Sequence, residues 1–279
     1  MSDHYRICII APPAYAHSAC FREVAFLLKS SLTSLGIVCD LSVNELAADR
    51  INVLLGAHLI SFEDRYKTYQ YIPYQLEQLS DIHPLWNDNV RLFLKHAFKI
   101  WDYSPENIRF LAAHGFAAEH LPLGYHDALQ LVPHSNPKDI DVLFFGSVGA
   151  KESRRYVLLE KLSDRAGIKS MVLFGKYGPK RDELIGRASI ILNIHHYEVM
   201  IFEAVRVSYL LNNGCFVLSE KSADYPYGGV DIPQVAYAEI IDQCVYFIEH
   251  QPEREDMRRS MALQFKNNYL MVDLIARVI

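Results

Sequence analysis

Nowhere in this chain of 279 residues does an apolar run reach the roughly 18 residues that a membrane-spanning helix needs, so it is not expected to cross a bilayer. The N-terminal MSDHYRICII carries no charged start ahead of a long apolar stretch, so no signal peptide is expected and the reading is cytoplasmic, at most peripheral to the inner membrane face. Cysteine is scarce and unpaired. The 5 residues (Cys8, Cys20, Cys39, Cys215, Cys244) are odd in number and form no CxxC pair, so no disulfide framework is implied. An excess of basic charge is also missing: 28 Lys and Arg stand against 33 Asp and Glu, a net charge of −5, and this argues against nucleic acid as a partner, whose phosphates need clustered cations. Short repeats and low-complexity tracts are absent, which removes solenoid and fibrous architectures.

What is present is an alternation of short buried-type strands with helical stretches. Tyr5–Ala11 (YRICIIA) reads as a strand, followed by a Pro12-Pro13 loop and a helix from Ser18 to Leu35 ending at Gly36. Further strands are expected at Ile37–Leu41, Val53–Ile60, Tyr71–Tyr74 and Lys99–Tyr103. A helix is expected over Leu85–His96, and another begins at the N-cap Ser104 with Pro105 in its first position. The stretch His120–Asp141 gathers Pro, Gly, Asn and Asp and marks a boundary near Val132–Lys138. A second series then starts, with strands at Asp141–Ser147, Lys169–Gly175, Ile190–Ile194 and Cys215–Ser219 and helices at Ser153–Ala166, Pro179–Arg187, Ile201–Leu211, Tyr237–His250 and from Glu253 onward.

Strand-helix alternation in both halves predicts an α/β protein of two Rossmann-like lobes facing a central cleft, because parallel strands need crossovers between them. The expected lobes are residues 1–134 and 135–279, with the last helix packing back on the first lobe. Ligands in such sheets bind at the carboxyl ends of strands, which points to the loops that follow them.

The segment IILNIHHYEVMIFEAVRVSYLLNNGCFVLSE (Ile190–Glu220) sets out a strand, a His-rich loop, a helix carrying Glu203 and Arg206, and another strand. Together with DVLFFGSVGAKESRRYVLLEKL (Asp141–Leu162) and the phrases YIPYQLEQL and WDYSPENIRFLAAHGF, it resembles glycosyltransferases of the GT-B fold, bacterial cell-surface enzymes of the group 1 kind that build lipopolysaccharide and capsule. That resemblance implies transfer of a sugar from a nucleotide-sugar donor to a glycan or related acceptor in polysaccharide biosynthesis, with no metal and no cofactor. It further implies that residues 1–134 take the acceptor, that residues 135–279 bind the donor, and that Glu203 contacts the donor ribose. No acidic residue stands seven positions before Glu203, where His196 is found, and this departure points toward inversion. A bilobed sugar- or nucleotide-binding protein without chemistry, or an inactive transferase partner, is the other class that fits. An NAD(P) oxidoreductase fits poorly, since APPAYAHS replaces GxGxxG after the first strand.

The residues themselves leave several roles open. Gly146 and Ser147 open a turn through which a backbone can approach a diphosphate, and any tight β-α junction needs a similar turn. Lys151 and Arg154 can add charge there. Glu203 in the first turn of its helix suits a ribose contact or the helix dipole. Arg206, three residues on, suits a phosphate or an intrahelical pair with Glu203. Lys176 and Tyr177 follow a strand, as do Glu220 and Ser222. His195 and His196 can hydrogen-bond or protonate a leaving phosphate; no further His or Cys stands at metal-ligand spacing. For the base that takes the acceptor's proton, His17 after the first strand leads and Glu77 follows.

Overall fold

A computed structural model describes residues 4–197 and 199–279. The chain divides into two compact units, Met1–Ala128 together with Leu270–Ile279, and Leu129–Tyr269.

The first unit is a parallel sheet of β1 (Tyr5–Ile9), β2 (Cys39–Val43), β3 (Ile51–Leu55), β4 (Tyr71–Gln75), β5 (Trp101–Asp102) and β6 (Glu119–His120), in the order β2-β1-β3-β4-β5-β6. Its helices are α1 (Phe21–Ser34), α2 (Asp88–Lys95) and α3 (Pro105–Ala113). Every residue of β3 is buried, which a sheet covered on both faces requires and a continuous INVLL run supplies. Its one polar member, Asn52, is satisfied by the backbone of Ala47, Arg50 and Gln70. Helix α1 buries Val24, Ala25, Leu27, Leu28 and Leu32, one stripe at helical spacing. Ser104 caps α3 by accepting from the Asn107 amide at 3.3 Å, with Pro105 first in the helix.

Three of the boundaries that differ from the sequence reading in this unit have a clear local reason. Residues Ala16–Cys20 form a 3₁₀ turn, and the α-helix starts only at Phe21. The second strand starts at Cys39 because the Ile37 amide turns back to the Leu32 carbonyl around Gly36, whose φ is +78°. The third strand stops at Leu55, since Gly56 at φ +86° turns the chain into a 3₁₀ turn over Ala57–Leu59.

The second unit holds β7 (Ile140–Phe145), α4 (Arg154–Ser163), β8 (Ser170–Leu173), α5 (Pro179–Arg187), β9 (Ala188–Asn193), α6 (Ala204–Asn212), β10 (Val217–Glu220), β11 (Gln234–Val235), α7 (Ile240–Glu249) and α8 (Gln251–Asn268). Its parallel sheet has the order β11-β10-β9-β7-β8. The helix expected from Glu253 onward does not run to the end. It stops at Asn268, and α9 (Met271–Ile275) belongs to the first unit, where its residue Met271 donates from its amide to the Tyr125 carbonyl at 2.9 Å.

In both sheets the first strand has the second on one side and the third on the other: β1 lies between β2 and β3, and β7 between β8 and β9. The chain therefore reverses its winding direction at β1/β3 and at β7/β9. Loops diverge at the carboxyl ends of such a strand pair and leave a crevice, the place where ligands bind in open α/β sheets. Among the described residues no helix is long and apolar enough to cross a membrane.

Candidate functional site

At the β7/β9 switch point of the second unit the structure gathers Gly146, Ser147, His195, Glu203, Arg206, Glu220 and Ser222 with two residues that the sequence reading did not single out, Arg155 and Asn193. Gly146 follows β7 with φ +132°, a conformation that side chains rarely adopt. A Cβ there would stand 2.7 Å from Arg206 Nη2, so the absent side chain is what lets the guanidinium lie over the turn. Arg206 is further held by Asn193, whose Oδ1 accepts from Nη1 at 2.9 Å, and by the rings of Phe144 and Phe145 at 5.3 and 5.6 Å.

Glu203 is not inside the helix but at the N-cap position of α6, and it makes no side-chain cap bond. Its Oε1 accepts instead from Arg155 Nη2 at 2.6 Å, and its Oε2 lies 3.6 Å from Arg206 Nη1. Burial pushes the carboxyl pKa up, yet the charges of Arg206 and Arg155, aided by His195 and the His196 amide, more than reverse that and hold it below the usual carboxylate value. The Glu203–Arg206 pair, one of the two readings the sequence left open for Arg206, is formed between the N-cap and the helix, with a second cation added from α4.

Arg155 is 3% exposed and committed on every side. Nε donates to the Ile194 carbonyl at 2.8 Å, Nη1 to the Ser147 carbonyl at 2.9 Å, and Nη2 to Glu203. Its guanidinium also stacks 5.3 Å from the Phe144 ring, and burial draws its pKa down to about 10 despite Glu203. Arg154, the neighbour one helical step away, points elsewhere. It makes a bidentate pair with Glu220 and stacks 4.7 Å from Tyr237.

Glu220, 2% exposed, is accordingly engaged by Arg154 and by the His195 amide at 3.0 Å, so its carboxylate ties the residues after β9 to the start of α4. The histidine pair separates into unlike members. His195 is fully buried, its Nε2 lies 3.0 Å from Ser222 Oγ, and its Nδ1 has no partner. Burial lowers its pKa although Glu203 and Glu220 pull the other way. His196 is half-buried, its ring edge-on to Tyr197 at 4.7 Å and its Cε1 3.5 Å from the Cβ that Gly149 lacks. Lys176 and Tyr177 lie in the loop after the edge strand β8, between Gly175 and Gly178, both of positive φ; Lys176 is exposed and Tyr177 half-buried. Lys151 is exposed. Among the described residues no cluster of His, Cys, Asp and Glu is arranged to hold a metal.

The first unit has its own group at the β1/β3 switch point. His17 sits in the 3₁₀ turn after β1, its ring 5.4 Å from that of Tyr15. Glu77 follows β4, and its Oε1 lies 3.8 Å from Nε2 of His58. Sequence reasoning passed over His58. The available signal was its place directly after a fully buried strand and the turn at Gly56, whose missing Cβ admits Phe21 Cε2 to 2.7 Å. Burial, with His83 nearby, draws the His58 pKa down to about 4.

No family model matches the chain. It is 27% identical over 236 residues to the uncharacterized protein L140 of Acanthamoeba polyphaga mimivirus, covering 81% of this chain and 74% of that protein. Its fold is that of solved GT-B glycosyltransferases. An α-glucosyltransferase in complex with UDP and a 13-mer DNA superposes with a TM-score of 0.66 at 7% identity, covering 98% of each chain. TarM of S. aureus, in a complex that includes UDP, gives 0.58 at 8% identity over 91% of this chain, which spans 58% of TarM. At such identities the likeness is one of fold.

Proposed function

We propose that the chain is a glycosyltransferase that moves a sugar from a nucleotide-sugar donor to a glycan or related acceptor, without a metal and without a cofactor. The observation that carries this reading is the convergence, within one unit, of the Gly146 turn, Glu203 and Arg206 at the β7/β9 switch point. The fold likeness to UDP-bound glycosyltransferases points the same way.

In this reading the second unit grips the donor. Arg206 and the amides of the Gly146–Gly149 turn face the diphosphate, and Glu203 accepts from the ribose hydroxyls. As the bond between the anomeric carbon and the phosphate oxygen breaks, the charge left on the diphosphate is held by Arg206 and the N-terminus of α6. A new bond forms between the anomeric carbon and the acceptor oxygen, whose proton passes to a base of the first unit, His17 or Glu77. Ser222 and His195 shape the wall beside the donor, and Lys176 and Tyr177 take its base or phosphate.

The acceptor is the finer part of the proposal. A net charge of −5 favours a glycan over nucleic acid, but the DNA-bound glucosyltransferase gives that exclusion no support, so acceptor screens include duplex DNA beside oligosaccharides. Work at the cytoplasmic face of the membrane belongs to the same proposal.

The test is release of free nucleoside diphosphate from UDP- and GDP-sugars in the presence of EDTA, alongside thermal shifts with the same compounds. A transferase hydrolyses its donor slowly when no acceptor is present, whereas a passive binding protein is stabilised by the ligand and releases nothing. Neither stabilisation nor release with any donor would overturn the reading.

A further inference from the structure

We infer that Arg155 is a positioning residue: it keeps Glu203 ionised and aimed into the β7/β9 crevice, leaving Arg206 as the guanidinium available to a ligand. The inference rests on the donor-binding reading of this site and deepens it by assigning unlike tasks to two arginines that share one aromatic ring.

The division follows from what each guanidinium touches. Both lie 5.3 Å from the centre of the Phe144 ring. Arg155 distributes its Nε, Nη1 and Nη2 over Ile194, Ser147 and Glu203, so each nitrogen is already bonded within the protein, and at 3% exposed the group is closed off from solvent. Arg206 gives Nη1 to Asn193 and lays Nη2 over Gly146, where the backbone has been cleared of a side chain. Through its three bonds Arg155 ties the turn after β7, the end of β9 and the residue preceding α6, which are the walls of the crevice. Planar donors in a fixed fork suit that task, and an ammonium does not.

The charge argument completes the assignment. Glu203 sits among Arg206 of its own helix, Arg155 of α4, and His195 and His196 after β9, with the Arg154–Glu220 pair beyond His195. Burial alone would favour its protonated form, which turns one oxygen into a donor and accepts from ribose hydroxyls more weakly than the carboxylate. Arg155 and Arg206 oppose that, and a bound diphosphate would partly neutralise Arg206, leaving Arg155 as the cation that keeps the carboxylate charged when ligand is present.

The experiment follows Glu203 and ligand separately. Carboxyl carbons are titrated by NMR in the wild type, Arg155→Met and Arg155→Lys, with Glu203→Gln identifying the signal; UDP affinity is measured by calorimetry from pH 5.5 to 8.5 on the same proteins. We expect the Glu203 pKa to rise by more than two units in Arg155→Met, and UDP affinity to fall about tenfold more between pH 8 and pH 6 in that variant than in the wild type, whose own change reports the titrating UDP phosphate. Arg155→Lys, which keeps the charge but loses the fork, holds the pKa nearer wild type and binds UDP more weakly at every pH. It also serves if Arg155→Met fails to fold. An unmoved Glu203 pKa in a folded Arg155 variant overturns the inference. So does a loss of UDP affinity in Arg155→Met that is the same at every pH, the mark of a purely structural role. If the pKa moves but the wild type binds neither UDP nor GDP, the donor reading fails and the electrostatic link stands.

Discussion

Arg206 occupies the space that a side chain on Gly146 would need, its Nη2 2.7 Å from that Cβ position. The first switch-point loop and the helix after the second are thus fitted to each other through a missing methyl group. Gly146→Ala meets both this clash and a φ of +132°, so we expect a folded protein in which Arg206 is displaced and UDP binds on the order of tenfold more weakly, ~1.4 kcal/mol. Calorimetry checks this. An affinity equal to wild type would mean that Arg206 does not face the ligand.

Glu203→Gln removes the charge that pairs with Arg155 and Arg206 while keeping the shape. In a desolvated pocket the loss of an ionic acceptor for the ribose is expected to weaken nucleotide binding by about 1–3 kcal/mol. The matching comparison is with a 2′-deoxy nucleotide, whose affinity should change much less on the same substitution. Equal losses for both nucleotides remove the ribose role.

For the first unit, His17→Ala should leave donor binding intact and abolish turnover. Turnover that persists moves the proton acceptor to Glu77, and Glu77→Gln then becomes the inactive variant. If both retain wild-type rates, neither is the base.

His58 yields a prediction on stability that needs no ligand. Its folded pKa of about 4 lies below the ordinary 6.5, so the unfolded chain binds a proton more readily than the folded one. Above pH 6.5 both states are neutral and nothing is lost; stability declines as pH falls from 6.5 toward about 4. His58→Gln should flatten that part of the stability curve in urea melts relative to wild type, and curves that run parallel would refute the assignment.

A further position tests packing alone. A Cβ on Gly186 would stand 2.0 Å from the Pro133 carbonyl oxygen, backbone that cannot swing aside like a side-chain tip. Gly186→Ala is expected to cost about 1–3 kcal/mol of stability with nucleotide affinity unchanged in the folded fraction. A wild-type melting temperature would contradict it.

Much of this was legible before any coordinates. The alternation of apolar runs such as Ile190–Ile194 with helical stretches fixes a parallel sheet, and Ser104-Pro105 announces a helix start that the structure shows with its cap bond. The Gly146 turn could be named because loops after strands are where such sheets bind ligands, whereas Glu203 was named through the resemblance to GT-B glycosyltransferases and Arg206 through its spacing three residues on. What the sequence could not separate was Arg154 from Arg155. Adjacent helical residues differ by about 100° in direction, and two identical side chains give periodicity nothing to choose between, so one arginine stacks on Tyr237 while the other is buried beneath the crevice. Asn193 was hidden for another reason. It ends an apolar strand and looks like a polar terminus, yet it is fully buried, accepting from Arg206 and donating to Ser219 Oγ at 3.0 Å. His58 needed the turn at Gly56 to be recognised as the end of its strand.

Because Leu270–Ile279 joins the first unit after the chain has completed the second, the polypeptide is nested: one folding unit is spliced into another, and no single cut yields both. Residues 129–269 can be excised as a contiguous piece, whereas a fragment that stops at Ala128 lacks the buried side chains of Met271 and Ile275 and leaves bare the apolar surface they cover. On a ribosome the first unit's core therefore lacks Leu270–Ile279 until the whole of the second unit has been synthesised.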